Sequence, residues 1–433
     1  MNTGYSSNRI LFLTIFLLSA VMILIIPMLI ETQNVTIPKK KVSVENVTSI
    51  SSNFSLEERN EQRWKELENR YRFVNLSLLT NPSLLEGKTI TYECISICGG
   101  LGDRLRGIIM SYFLSLLLKR QLIIDMERPC PFTNYFQPNK YRWIRANDYV
   151  EKGSVHRIRS IDQNLQLANQ LKTAPFIDTW SNYDHIQLRI NIDFLEEIFS
   201  NPHLRSDPII KMFLNEMSVG EANYQTLFGL FYEILFKPTK KIVHIIDHLL
   251  INRSIEDLIC THLRIGENPS NPRDHPFEYR HQITNTIIQY LSKYEFLEKN
   301  CQSSLFISSD SLNSTNEILE AFPGKSFSIS GPILQIDLPT DVHCDDGFTK
   351  VVADFNLLSE CSTVILTNSG FSAYANRRRF NPYQNLYKFN QKQNRVDKCL
   401  DLRSPKGWEP SHSIKIKLFC PIQTDNYTLE DIL

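Results

Sequence analysis

Residues 91–126 read TYECISICGGLGDRLRGIIMSYFLSLLLKRQLIIDM, and their hydrophobic periodicity changes twice. A strand-like run from Thr91 to Cys98 meets the loop Gly99-Gly100-Leu101-Gly102. Leu105, Ile108, Ile109, Phe113, Leu116 and Leu117 then recur at helical spacing, and Leu122 to Ile124 resumes an extended apolar pattern. This is a β-loop-α-β unit with glycines packed into its first turn. Glycines let a ligand approach the backbone, and a helix N-terminus favours an anion, so a sugar nucleotide fits here; a plain tight turn fits this stretch equally well. The loop is not a P-loop, because no Gly-Lys-Ser/Thr follows, and it is not G-x-G-x-x-G, because Leu105 occupies the third glycine position.

The chain is 433 residues long, enough for two α/β units with additions. Its formal net charge of zero gives no general attraction to nucleic acid, and no zinc-finger spacing occurs. From Ile10 to Ile30 the chain runs 21 residues without a charge, which predicts an uncleaved transmembrane signal-anchor after a tail of residues 1–9. Flanking charge leaves the orientation open, with Arg9 on one side and Lys39, Lys40 and Lys41 on the other. Seven glycosylation sequons begin at Asn34, Asn46, Asn53, Asn75, Asn252, Asn313 and Asn426, and nine cysteines allow up to four disulfides with one thiol left over. Together they favour a short cytosolic tail, a lumenal body and an oxidising compartment such as the Golgi.

Residues 31–88 read as a polar stem. Within it, Trp64, Leu67 and Tyr71 recur at 3,4 spacing along a charged stretch from Leu56 to Phe73. This pattern gives a solvated helix, or one through which two copies associate as a homodimer. Residues 89–250 form a first α/β half. Aromatics are plentiful after Met126 (Phe132, Tyr135, Phe136, Tyr141, Trp143, Trp180, Tyr183), as core or as a sugar-stacking surface. Residues 251–425 form a second half, in which about 255 to 380 alternate cleanly. Strands are predicted at 257–263, 305–308, 327–329 and 363–368, with helices at 280–300, 314–322, 351–361 and 370–380. Repeated β-α alternation argues for a parallel sheet with helices on both faces. Arg377, Arg378 and Arg379 fall at a helix C-terminus, where the dipole favours cations.

Ligands of open parallel sheets bind beyond the C-terminal ends of the strands. Those ends carry His262, Arg264 and Glu267 in THLRIGEN, Asp310 in SSDS, and Ser369, Phe371 and Ser372 in NSGFS. An arginine, acids and a hydroxyl-bearing helix start on one rim suit a diphosphate leaving group. Taken singly, Ser369 or Ser372 also reads as an N-cap, Asp310 as a cap of the next helix and His262 as a core histidine. No Asp-x-Asp occurs, which removes the usual metal-diphosphate ligand pair, and Asp345-Asp346 reads as a loop. No HExxH or GxSxG appears, and Cys94 and Cys98 lack a second metal-binding pair, which leaves a disulfide or buried thiols.

The glycine loop after the first strand, the H-x-R strand end, and DFNLLS followed by TNSGFS together resemble the fucosyltransferase superfamily, the α1,2-, α1,6- and protein O-fucosyltransferase group. HLRIG and FSAYANRRR most resemble the protein O-fucosyltransferase form. The resemblance covers about residues 90 to 380 through short motifs. It implies an α/β GT-B fold, two Rossmann-like halves facing a cleft. It also implies a GDP-fucose donor held by the second half, inversion at the sugar carbon, and no metal or other cofactor. By motif, Arg264 would hold the diphosphate, His262 would lie near the donor, and Asp354 would recognise the base. Ser369, Phe371 and Ser372 would complete the donor site, and Gly100 and Gly102 would line the cleft. This sequence departs from the pattern at Ile265, where a second arginine is common, at Glu267, where Asp is common, and at Asp103, where Asn is common. The N-terminal anchor matches carbohydrate-directed Golgi members, whereas the motif wording matches the protein-directed ones.

These readings predict transfer of L-fucose to a glycan or glycoprotein hydroxyl. Asp103 is the first candidate base and Glu267 the second, with a helix-capping role the alternative for Asp103. A transferase with another nucleotide sugar, and a non-catalytic lectin or scaffold of the same fold, are the other readings.

Overall fold

The computed structural model describes residues 55–145, 152–161, 164–218, 224–271, 281–293, 303–337, 344–379 and 381–399. The segment 10–30 and the sequons at Asn34, Asn46, Asn53 and Asn426 lie outside the described residues. Among the described residues no helix is long and apolar enough to cross a membrane. Asn75, Asn252 and Asn313 are exposed.

Two parallel sheets carry the fold. The first has the order β2-β1-β5-β4, from β1 (Thr89–Glu93), β2 (Gln121–Asp125), β4 (Val155–Ser160) and β5 (His185–Ile190). All its pairings are parallel. The helix Leu101–Leu117 connects β1 to β2, as the opening motif requires. Separately, β3 (Phe136–Pro138) and β6 (Phe236–Pro238) form a small antiparallel ribbon. The second sheet has the order β12-β11-β10-β7-β8-β9. Its strands are β7 (Leu258–Leu263), β8 (Ser304–Ser309), β9 (Ser326–Ser328), β10 (Thr363–Leu366), β11 (Leu386–Asn390) and β12 (Arg395–Lys398), with only β11–β12 antiparallel.

Strand β7 is buried along its whole length, LICTHL, because helices cover both faces of a parallel sheet. Alternation divides it: Leu258 and Cys260 join the large core that includes the first half, whereas Ile259 and Leu263 join a separate core with Ile283, Ile287, Leu305, Ile307, Ile365 and Phe389. His262 therefore falls on the face toward the first half. β8 and β9 extend the sheet to one side of β7 and β10 and β11 to the other, so the strand order reverses at β7–β10. Such a reversal opens a crevice at the C-terminal strand ends.

Two expectations change, and one alternative is decided. The helix Leu56–Arg70 is not a solvated stem: Leu56, Trp64, Leu67 and Tyr71 are buried in the large core. Its apolar face is taken up within the chain and is not presented to a second copy. Arg63 explains the docking. It donates to Glu233 at 3.2 Å and Glu360 at 2.7 Å, side chains that Arg378 also holds from the end of the helix Gly370–Arg378. Arg378 is fully buried, so its charge is met by carboxylates and not by the helix dipole alone. Asp345-Asp346 is no loop. It opens the helix Cys344–Leu358, and Asp345 bonds Lys241 at 2.7 Å and the Tyr135 hydroxyl at 3.1 Å. The aromatics Phe132, Tyr135, Phe136, Tyr141, Trp143 and Trp180 are core, and Tyr183 stacks on His156.

Cys94–Cys98 and Cys260–Cys361 are disulfides, and Cys130 and Cys399 are disulfide-bonded as well.

Candidate functional site

A cavity of about 380 Å³ opens at the crevice where the strand order reverses. The volume falls within the range of small-molecule sites. Its second-half wall carries His262 and Arg264 at the end of β7, Ser308, Ser309 and Asp310 at the end of β8, and Asn368 to Phe371 after β10. Gly100, Leu101 and Asp103 close it from the first half, and the segment Pro332–Ile336 forms another side. The structure thus brings together Gly100, Asp103, His262, Arg264, Asp310, Asp354, Ser369 and Phe371.

Gly102, Glu267 and Ser372 do not line it. Gly102 serves packing: a Cβ there would meet the Gly370 carbonyl oxygen at 2.9 Å, so only glycine lets the two helix starts approach. Glu267 accepts from the Ser311 hydroxyl at 2.5 Å. Ser372 is buried behind the cavity wall. Asp310 organises its neighbours. It pairs with the Arg264 guanidinium and accepts the backbone N–H groups of Ile265 at 2.6 Å and Gly266 at 2.8 Å. Gly266 takes φ +91°, the left-handed conformation that folds this turn around the carboxylate. Ser311, and not Asp310, caps the following helix.

Ser369 is the N-cap of the helix Gly370–Arg378, yet its hydroxyl makes no capping bond, which leaves the first N–H groups of that helix without a side-chain cap. This start carries the positive end of the helix dipole at the cavity wall that also holds Arg264. An anion is the species such a wall accommodates.

His262 is buried, its ring 5.2 Å from that of Phe371, and its Nδ1 has no hydrogen-bond partner. Burial, with the nearby cations Arg264 and Lys350, pulls its pKa down to about 3, so the imidazole is neutral at pH 7. Asp354, on the helix Cys344–Leu358, is buried with two unequal oxygens. Oδ2 accepts Lys350 Nζ and Ser308 Oγ, each at 3.0 Å, while Oδ1 has no partner. Burial raises its pKa against the pull of Lys350 and Ser308. A buried unpartnered carboxylate oxygen beside a cavity awaits a ligand donor.

Asp103 accepts the Gly100 N–H at 3.2 Å, closing its own helix start, and pairs with Arg106 at 3.4 Å. It performs the capping role and still reaches the cavity.

Sequence reading missed Lys350, Ser308, Asn268, Arg104 and Asp337. Lys350 falls one residue before the helix predicted from 351, which in fact begins at Cys344, so its i,i+4 spacing to Asp354 was not read as a helix face. Arg104 gave no signal. It is fully buried and bonds Gly99 O at 2.8 Å, Ile336 O at 2.9 Å and Asp337 Oδ1 at 2.9 Å. Asp337 in turn accepts the N–H groups of Cys98 and Gly99. This pair ties the glycine loop to the wall at 332–336 across more than 200 residues of sequence. Among the described residues no group of three or more His, Cys, Asp or Glu side chains is arranged to hold a metal ion.

No protein-family model matches the chain, and no curated protein matches its sequence. Solved structures do match. A mutant of Arabidopsis thaliana FUT1 in complex with GDP aligns with TM-score 0.50 at 13% identity, over 76% of this chain and 78% of that one. Fucosyltransferase NodZ from Bradyrhizobium aligns with TM-score 0.41 at 15% identity, over 71% and 96%. POFUT1 in complex with GDP-fucose aligns with TM-score 0.36 at 13% identity, over 69% and 95%. At this identity the first match shows architecture alone: the chain shares the α/β fold of that FUT1 structure.

Proposed function

We propose that this chain is a fucosyltransferase that moves L-fucose from GDP-fucose to a glycan hydroxyl, with inversion and with no metal cofactor, as a Golgi type II membrane protein. The observation that carries the reading is one cavity holding Arg264, an uncapped helix start at Ser369–Gly370 and the unpartnered Oδ1 of Asp354. The first two suit a diphosphate, and the third suits the N–H groups of a base. The FUT1 structure in complex with GDP, which shares the fold, supports the same assignment.

As the bond from fucose to the diphosphate breaks, the sugar takes on oxocarbenium character and negative charge grows on departing GDP. Arg264, held by Asp310, and the Gly370 helix start lie where that charge develops and would stabilise it more as bond breaking proceeds. The incoming hydroxyl attacks from the opposite face, and Asp103 is the first-half carboxylate on the cavity positioned to take its proton.

A GDP-release assay with GDP-fucose and a panel of glycan acceptors tests this. Turnover should fall about 100- to 1000-fold in Arg264→Ala, the range for losing one donor to developing charge. Near-normal turnover in that variant removes the main donor contact. In a thermal-shift measurement on the full chain, stabilisation by UDP but not GDP favours another donor sugar, and stabilisation by neither favours a scaffold.

A further inference from the structure

We infer that Lys350 reads the base of the nucleotide, donating to an oxygen at the purine six-position, so that Lys350 and Asp354 together select a 6-oxopurine diphosphate over a 6-aminopurine one. This rests on the reading that the cavity takes a nucleoside diphosphate sugar.

The two residues stand one turn apart on the helix Cys344–Leu358, and both are buried against the same cavity. Their charged atoms touch, Nζ to Oδ2 at 3.0 Å. Ser308 supplies a second donor to Oδ2 from the end of β8, which leaves Oδ1 as the bare acceptor. An ammonium carries three N–H donors, and Asp354 engages one. The cavity wall therefore presents an acceptor and a charged donor side by side.

That pattern complements guanine, whose edge sets an N–H beside the O6 acceptor. Adenine carries an N6 amino donor where guanine has O6. With the diphosphate anchored at Arg264 and the Gly370 helix start, the base cannot slide freely to another register. Adenine in the same place would set donor against ammonium and ring nitrogen against carboxylate. A site built to bond a particular group rejects the analogue that lacks it, because its own buried groups are left unpaired. The salt bridge alone does not account for Lys350: Ser308 already bonds Oδ2, and a lysine brought under cover beside a cavity keeps donors to offer.

The test is calorimetric binding of GDP, 6-thio-GDP and ADP to the full chain. Sulfur is a poorer acceptor than oxygen, so 6-thio-GDP weakens the six-position contact and leaves the N–H groups in place. Wild type should bind GDP several-fold tighter than 6-thio-GDP and far tighter than ADP. In Lys350→Met, GDP should weaken by about tenfold or more, the loss of one charge-assisted bond, and the gap between GDP and 6-thio-GDP should close. Equal weakening of both guanine ligands by the variant overturns the inference, since Lys350 would then only brace Asp354. So does wild type that fails to separate them, a comparison that needs no variant to fold. Wild type that binds no guanine nucleotide at all removes the parent reading, and this one falls with it.

Discussion

His262 offers a quantitative test of the site's electrostatics. Its ring is buried at the end of β7 against Phe371, with Arg264 and Lys350 nearby, and its pKa is pulled from 6.5 to about 3. In the unfolded chain the ring takes up a proton near pH 6.5, whereas the folded chain resists until about pH 3. Between those values the unfolded state binds more protons, so stability falls as pH falls. Lowering the pH from 7 to 5 should cost the folded state about 2 kcal/mol through this one group. His262→Gln keeps a polar side chain of similar size without the titration. Urea unfolding of the full chain, followed by tryptophan fluorescence at half-unit pH steps, gives the difference curve. Wild type should lose about 2 kcal/mol more than the variant over that range, whatever their offset at pH 7. Parallel pH profiles would refute the reasoning, for they would mean that the ring is solvated or charged in the folded chain.

Other perturbations have equally definite outcomes. Arg378→Met removes one of the two buried arginines that Glu233 and Glu360 share, leaving Arg63 as the one that bridges both carboxylates, and should destabilise by about 3 kcal/mol, measured by urea unfolding. Gly102→Val places side-chain carbon against the Gly370 carbonyl, 2.9 Å from where the Cβ would sit, and should lower both Tm and GDP affinity, because the displaced helix start forms the cavity wall. Asp310→Asn turns one acceptor of the Arg264–Gly266 turn into a donor facing another donor. By calorimetry GDP binding should weaken about tenfold or more.

Much of the fold was readable because parallel α/β architecture writes itself in local periodicity. The unit at 91–126 and the alternation at 257–380 match strands and helices of the structure to within a few residues at most ends. The exceptions are the first strand, predicted to run to Cys98 but ending at Glu93, and the helix predicted from 351, which begins at Cys344; the end predicted for the helix 280–300 lies outside the described residues. Position beyond each strand end was also readable, since the end of a hydrophobic run marks the rim where Arg264, Asp310 and Ser369 stand. The helix at 56–70 misled because its composition is charged. Charge predicts solvent only if the charges lack partners, and Arg63 finds Glu233 and Glu360 from far along the chain.

The sequence alone established the β-loop-α-β opening, the alternating second half and the residue types available at the strand ends, since these depend on spacing within a few turns or strands. Tertiary structure decided which of those residues share a cavity and what each does there. It turned Gly102 to packing and Asp310 to organising a turn, brought Lys350 and Ser308 to one oxygen of Asp354, and joined Arg104 to Asp337. Those outcomes depend on strand order and on contacts between residues far apart in the chain, where neither hydrophobic period nor propensity carries information.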